Sequence, residues 1–132
     1  MLPTAELPDF ARKIAAVELE LKTIEAFTLR SVVALSRGGD LGGQALGAEA
    51  NIFKIRNTEI QQRLTELKMQ AVGYYAQSYL YAALTQDWNE PPIGAEYANG
   101  CAPNYMHFHK VSIYSGSNEI QHNIIAKAGL GL

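Results

Sequence analysis

Three features of this sequence predict an all-α fold, a helical bundle with at least three substantial helices. Apolar residues recur at steps of three and four along extended segments, which keeps one helix face apolar. No segment shows the strict alternation that a half-buried strand needs. Glycines punctuate the ends of the helical segments, where left-handed caps belong.

The first segment runs from about Leu7 to Arg37. Phe10, Ile14, Val17, Leu21 and Ile24 form its apolar stripe, Thr28 and Ser31 continue it with small side chains, and Leu35 closes it. Arg12, Glu20 and Glu25 lie on the opposite face. Pro8 suits a first helical turn, where its missing N–H does no harm. Arg37 followed by Gly38-Gly39 is a stop signal. Gly38 to Gly47 reads as a flexible connection between helices; without a preceding strand or a Gly-Lys-Ser/Thr run it is no phosphate loop.

The second segment runs from about Ala48 to Val72, with Ile52, Phe53, Ile55, Ile60, Leu64, Leu67 and Ala71 as a broad apolar face. Glu59, Gln62, Glu66 and Gln70 make a polar stripe, of which Glu59 and Gln62 are expected in water. Gly73 ends the helix. Tyr74 to Asn104 is rich in tyrosine and proline and reads mostly as loop, with a short helix around Ala76 to Thr85. A shorter helical piece is expected over Tyr105 to Tyr114. After the break Ser115-Gly116-Ser117, a last helix starts with either Asn118 in a capping box with Gln121, or Ser117, as its cap. Ile120, Ile124 and Ile125 give it an apolar face, and Gly129 and Gly131 end it.

The 132 residues suit one domain, and 48% apolar residues suffice for a core. Eleven Lys and Arg against thirteen Asp and Glu, net charge −2, give no electrostatic case for nucleic acid or for an anionic membrane. No apolar run is long enough for a membrane span. Met1 to Pro8 has neither basic cluster nor hydrophobic run, so a signal peptide is not expected. The single cysteine, Cys101, cannot form an internal disulfide. A reducing, cytoplasmic compartment is the expectation.

Generic motifs assign no chemistry. His107 and His109 point apart on a helix, and no histidine pair has the spacing of a metal face, so no metal site is expected. Cys101 sits in a Pro/Gly-rich stretch with no base nearby and reads as a buried or tolerated thiol. The turn Ser115-Gly116-Ser117-Asn118 stands out, because free N–H groups at a helix start attract anions such as a cofactor pyrophosphate.

The run from Ile113 to Ala126, Ile113-Tyr114-Ser115-Gly116-Ser117-Asn118-Glu119-Ile120-Gln121-His122, closing on Gly129-Leu130-Gly131-Leu132, strongly resembles the C-terminal signature of acyl-CoA dehydrogenases. Thr58-Glu59-Ile60-Gln61-Gln62-Arg63-Leu64-Thr65-Glu66-Leu67, ending at Gly73, looks like the penultimate long helix of that family's C-terminal domain. The likeness covers nearly the whole chain. It implies an up-and-down four-helix bundle, here without its first helix and without the family's N-terminal and middle β domains. A fragment, a proteolysed product or a truncated reading frame is therefore the expectation.

The resemblance implies an FAD enzyme that takes a proton from Cα and a hydride from Cβ of an acyl-CoA thioester and yields a trans-2-enoyl-CoA. Its reoxidant is an electron-transferring flavoprotein, and its subunits pair so that each FAD is shared across a dimer. Residue by residue, Gly116 and Ser117 match the turn that contacts FAD, Glu119 and Gln121 belong to the same helix start, and Gln70 and Gly73 match the helix end that reaches the FAD of the dimer mate. The glutamate base of many members falls at Ser115 here. A serine hydroxyl does not accept the α-proton as a carboxylate does, so no catalytic residue is assigned. His109 stands where an arginine is common. A competing reading is a non-catalytic helical module, such as the structural subunit of a heteromeric dehydrogenase.

Overall fold

The computed structural model describes residues 7–37, 43–80, 84–85, 89–90 and 94–130. Gly38-Gly39, Gly131 and Leu132, all named above, lie outside them. Among the described residues every regular element is helical. The order is α1 (Pro8–Ser36), α2 (Gly43–Val72), α3 (Cys101–Phe108) and α4 (Asn118–Leu130), with 3₁₀ turns at Gly73–Gln77, Glu96–Ala98 and His109–Ser112.

α1 keeps the bounds its periodicity sets, and Pro8 is its first residue. Phe10 and Val17 are buried as expected, whereas Ile14, Leu21 and Leu35 of the same stripe remain 41%, 43% and 46% exposed. Thr23, Thr28 and Ser31 turn their hydroxyls back to carbonyls one turn earlier, at 2.8, 2.8 and 3.1 Å, which satisfies them without leaving the helix.

α2 starts at Gly43, inside the stretch expected to be a loop. Ala45, Leu46, Ala48 and Ala50 are strong helix formers, and their propensity outweighs Gly43 and Gly47. α2 ends at Val72 as expected, because Gly73 takes the left-handed conformation (φ +69°) at which L side chains are strained.

Of the helix expected over Ala76 to Thr85, residues 81–83 lie outside the described residues, and the described ones before them are not α-helical. The chain makes one 3₁₀ turn and Ser78 is already extended (φ −71°, ψ 120°). α3 begins four residues before the expected start at Tyr105. Pro103 lies in its first turn, where the N–H it lacks has no acceptor in any case. Cys101 is thus the first helical residue and not part of a loop. It is buried and its thiol reaches the carbonyl of Tyr97 at 3.4 Å. α3 gives way at His109 to a 3₁₀ turn, short of Tyr114. α4 runs past Gly129 to Leu130.

The chain divides into two compact units, each assembled from two stretches. The first comprises Met1–Ala15 and Gln61–Lys110, the second Ala16–Ile60 and Val111–Leu132.

In the first unit Phe10, Ala76, Ala98, Cys101 and Ala102 are buried. α3 lies against the Gly73–Gln77 turn. Tyr75 covers Gly94 so closely that a Cβ there would fall 2.7 Å from the ring. Gln62, expected in water, is half-buried and donates its amide to the carbonyls of Phe108 (3.4 Å) and His109 (3.2 Å). The reason is local: α3 gives way there to the His109–Ser112 turn, and the Gln62 amide meets the carbonyls at that junction.

In the second unit Val17, Ile55, Ile60 and Val111 are buried together with two polar residues, Thr58 and Gln121. Burying an isoleucine side chain contributes roughly 1.5–3 kcal/mol, so Ile55 and Ile60 anchor this unit. Glu49 of α2 accepts from Ser31 (2.5 Å) and Arg30 (3.2 Å) of α1, which ties the two helices together here.

Candidate functional site

The residues of the expected nucleotide turn meet in the second unit, in the five residues 113–117 and the first turn of α4. Ser115 (φ 60°) and Gly116 (φ 85°) are consecutive left-handed residues, and together they reverse the chain into α4. Ser115, Gly116 and Glu119 are exposed and Ser117 is half-exposed, so the bend faces solvent.

Ser117 is the cap. Its Oγ lies 3.5 Å from the amide nitrogen of Ile120, three residues on. Its carbonyl takes the amide of Gln121 at 3.0 Å, which closes the first turn of the helix. Asn118, the other candidate cap, turns its side chain to α2 instead. Its Oδ1 accepts from Lys54 Nζ at 2.7 Å, and its Nδ2 donates to Thr58 Oγ1 at 3.3 Å. Thr58 hands its own proton to the Ile55 carbonyl at 2.8 Å. Lys54 Nζ also donates to the carbonyl of Ser112 at 3.3 Å. One ammonium therefore holds both ends of the 113–117 stretch.

The carboxylate of Glu119 sits well at this helix start. The Ser117 hydroxyl, and then its own backbone N–H, hold its pKa below the usual value, with help from the charges of His122 and Lys54. An anionic side chain thus already uses groups that would favour an incoming anion.

Gln121 is only 6% exposed. Its amide nitrogen donates to the carbonyl of Ser115 at 3.2 Å. A Cβ on Gly116 would fall 2.6 Å from that same nitrogen. This contact rotates α4 so that Gln121 faces inward. Ile120 and Ile124, expected to form the buried face, are 54% and 41% exposed, and of that trio only Ile125 is half-buried.

Gln70 and Gly73 belong to the first unit. Gln70 is exposed near the end of α2; its Oε1 accepts from Lys13 Nζ at 2.8 Å, and its amide donates to Glu66 at 3.2 Å. Gly73 is exposed with nothing within 4 Å of its Cβ direction. His109 is exposed, with Nδ1 2.8 Å from the Tyr105 carbonyl and its ring edge-on to the Tyr105 ring. Among the described residues no group of three His, Cys, Asp or Glu side chains could hold a metal ion. No helix of the described residues is long and apolar enough to cross a membrane. In the second unit a hollow of about 330 Å³ opens between α1 and α2, lined by Ile24, Phe27, Ile52 and Ile60 with Glu20 and Arg56, and no residue of the turn borders it.

Lys54 and Thr58 do not stand out as functional in the sequence. A signal is there: two polar residues spaced i, i+4 beside the apolar positions Ile55 and Phe53 mark a polar contact made from within a packed face.

Residues 3–130 match the family model described as "Acyl-CoA dehydrogenase, C-terminal domain". No curated protein and no solved structure matches the chain.

Proposed function

Because this chain belongs to the acyl-CoA dehydrogenase C-terminal domain family, we propose that it serves as the C-terminal part of an FAD-dependent acyl-CoA dehydrogenase. Its contribution is to hold FAD and to join subunits. When bound, FAD supplies the acceptor for the hydride leaving Cβ of an acyl-CoA thioester, and an electron-transferring flavoprotein reoxidises it. The product is the trans-2-enoyl-CoA of a β-oxidation type reaction in the cytoplasm.

The observation that carries this reading is the exposed double left-handed turn at Ser115 and Gly116, leading straight into a capped helix, within a chain matched over 3–130. The residues fit a nucleotide diphosphate. Backbone amides at a helix start and a serine hydroxyl are good donors to phosphate oxygens. In this reading Gly116 and Ser117 touch the diphosphate, with Glu119 and Gln121 in the same first turn of α4. Gln70 and Gly73 face the FAD of a dimer mate, where the bare Gly73 leaves room for close approach. No residue of this chain is assigned as the base, since Ser115 holds the position where many members of the family have a glutamate. Apolar residues left exposed along α1, Ile14, Leu21 and Leu35, support self-association or docking onto the rest of a dehydrogenase.

Flavin fluorescence tests the binding claim. The chain alone is expected to bind FAD weakly or not at all, because it carries part of a shared site. Supplied with the remaining dehydrogenase domains, read from the upstream genomic sequence, it is expected to yield a flavoprotein bleached by acyl-CoA. An assembled protein that purifies colourless and takes up no FAD refutes the reading. A monodisperse monomer by light scattering at high concentration refutes self-association.

Ser115 also favours one alternative, a non-catalytic helical subunit that stabilises a heteromeric dehydrogenase. A separate neighbouring gene for the other domains, whose product acquires activity only with this chain, identifies that case.

A further inference from the structure

The binding turn needs a fixed shape before any ligand arrives, and the residue that gives it that shape is not one of those facing solvent. Ser115 is a non-glycine residue in the left-handed region, followed at once by Gly116 in the same region. Nothing in the identity of Ser115 favours that conformation. Left alone, an exposed five-residue stretch samples many bends.

Gln121 opposes this from beneath. Its backbone amide closes the first turn of α4 on the Ser117 carbonyl at 3.0 Å. Its side chain then reaches six residues back, to the Ser115 carbonyl at 3.2 Å. The same amide nitrogen would lie 2.6 Å from a Cβ on Gly116, so any side chain there displaces the Gln121 amide in addition to straining φ. The side chain is buried, which makes this contact short of water and hard to replace. One residue therefore joins the start of the helix to the middle of the bend.

We infer that Gln121 is a positioning residue whose buried side-chain amide, bound to the Ser115 carbonyl and packed under Gly116, holds the 115–117 turn in the shape that receives a nucleotide diphosphate. The ligand half of this statement rests on the proposed function; the shape half does not. Gln121 itself need not touch the ligand. Orienting donors beforehand removes an ordering cost from binding, so its loss weakens affinity while the donors themselves remain.

The test compares the isotope-labelled wild-type chain with Gln121→Met, which keeps length and bulk and removes the donor. Circular dichroism reports the helices. The intraresidue amide–Hα Overhauser signal of Ser115, strong only at positive φ, reports the turn. Inorganic pyrophosphate is the probe, followed through the amide shifts of Gly116 and Ser117. The wild type is expected to show the strong Ser115 signal and a contact between the Gln121 side-chain amide and the Gly116 Hα protons. Gln121→Met is expected to keep its helices, lose the Ser115 signal, and need about tenfold more pyrophosphate, as for one lost hydrogen bond. A merely structural Gln121 would lower Tm and leave both the Ser115 signal and the pyrophosphate midpoint of the folded protein unchanged, which overturns the inference. If wild type ignores pyrophosphate, the ligand half of the inference is overturned for this chain, the FAD reading is left to the assembled protein, and the Ser115 signal alone decides the shape claim. If Gln121→Met does not fold, the wild-type contact between Gln121 and Gly116 decides it, and its absence overturns the inference.

Discussion

Replacing Gly116 with alanine separates two reasons for a glycine, because Gly73 offers a control with only one of them. Both residues hold a positive φ, +69° at Gly73 and +85° at Gly116. Nothing lies within 4 Å of a Cβ on Gly73, while one on Gly116 would fall 2.6 Å from the amide nitrogen of Gln121. For Gly73→Ala, the left-handed penalty of roughly 1–2 kcal/mol is partly offset by about 0.4–1 kcal/mol of reduced unfolded-state entropy. The net cost is about 1 kcal/mol. Gly116→Ala carries that cost and a displaced Gln121 besides. Moving the amide loses its bond to Ser115, about 0.5–1.5 kcal/mol, and drives its torsions off their minima for about the same again. The total is about 2–4 kcal/mol. Urea denaturation of the two variants measures the difference through the midpoint, with the slope checked for constancy. Truncating the obstacle should recover part of the loss: in Gln121→Ala, adding Gly116→Ala is expected to cost about what Gly73→Ala costs. Equal losses for Gly73→Ala and Gly116→Ala in the wild-type background would refute the packing argument, whatever became of the ligand.

Asn118→Ala removes the acceptor for Lys54 and the donor to Thr58, leaving a half-buried ammonium with the Ser112 carbonyl; a loss of about 1.5–3 kcal/mol in urea midpoints is expected, because charged hydrogen bonds are the stronger ones. Glu119 has a depressed carboxyl pKa, so its contribution is complete above the ordinary carboxylate range and disappears as pH falls through its lower folded value. The stability gap between wild type and Glu119→Gln should accordingly be flat near neutrality and close in acid; a gap that widens in acid contradicts that sign. The same Glu119→Gln variant removes a negative charge beside the proposed diphosphate site and is expected to tighten pyrophosphate binding in a titration at low salt. Lys13→Met breaks only an exposed contact with Gln70 and should change the urea midpoint by less than about 0.5 kcal/mol.

Helix class and the longest boundaries were legible because they depend on neighbours in sequence. The three-and-four spacing of Phe10, Ile14, Val17, Leu21 and Ile24 fixes a face whatever lies opposite, and Gly73 ends α2 by its own backbone freedom. The motif around Gly116 was equally legible. Less so was the choice of cap. Ser117 and Asn118 are both good caps in isolation, and what separates them is Lys54, sixty-four residues before Asn118, which engages its oxygen.

The exposed face of α4 shows the same limit. Periodicity assigns Ile120 and Ile124 to the interior, yet Gln121 is the buried residue. A polar side chain goes inward only where partners wait for it, and the partners here are a carbonyl at Ser115 and the bare Cα of Gly116. Gln62 repeats the pattern in the first unit, drawn out of water by the carbonyls of Phe108 and His109. Local order along this chain was therefore written in spacing and in glycine, since both act over a few residues. Which polar groups are buried, and hence which way the final helix turns, was settled only on packing: Gln62 meets carbonyls more than forty residues on, and Gln121 meets the Ser115 carbonyl only once the turn between them has taken its shape.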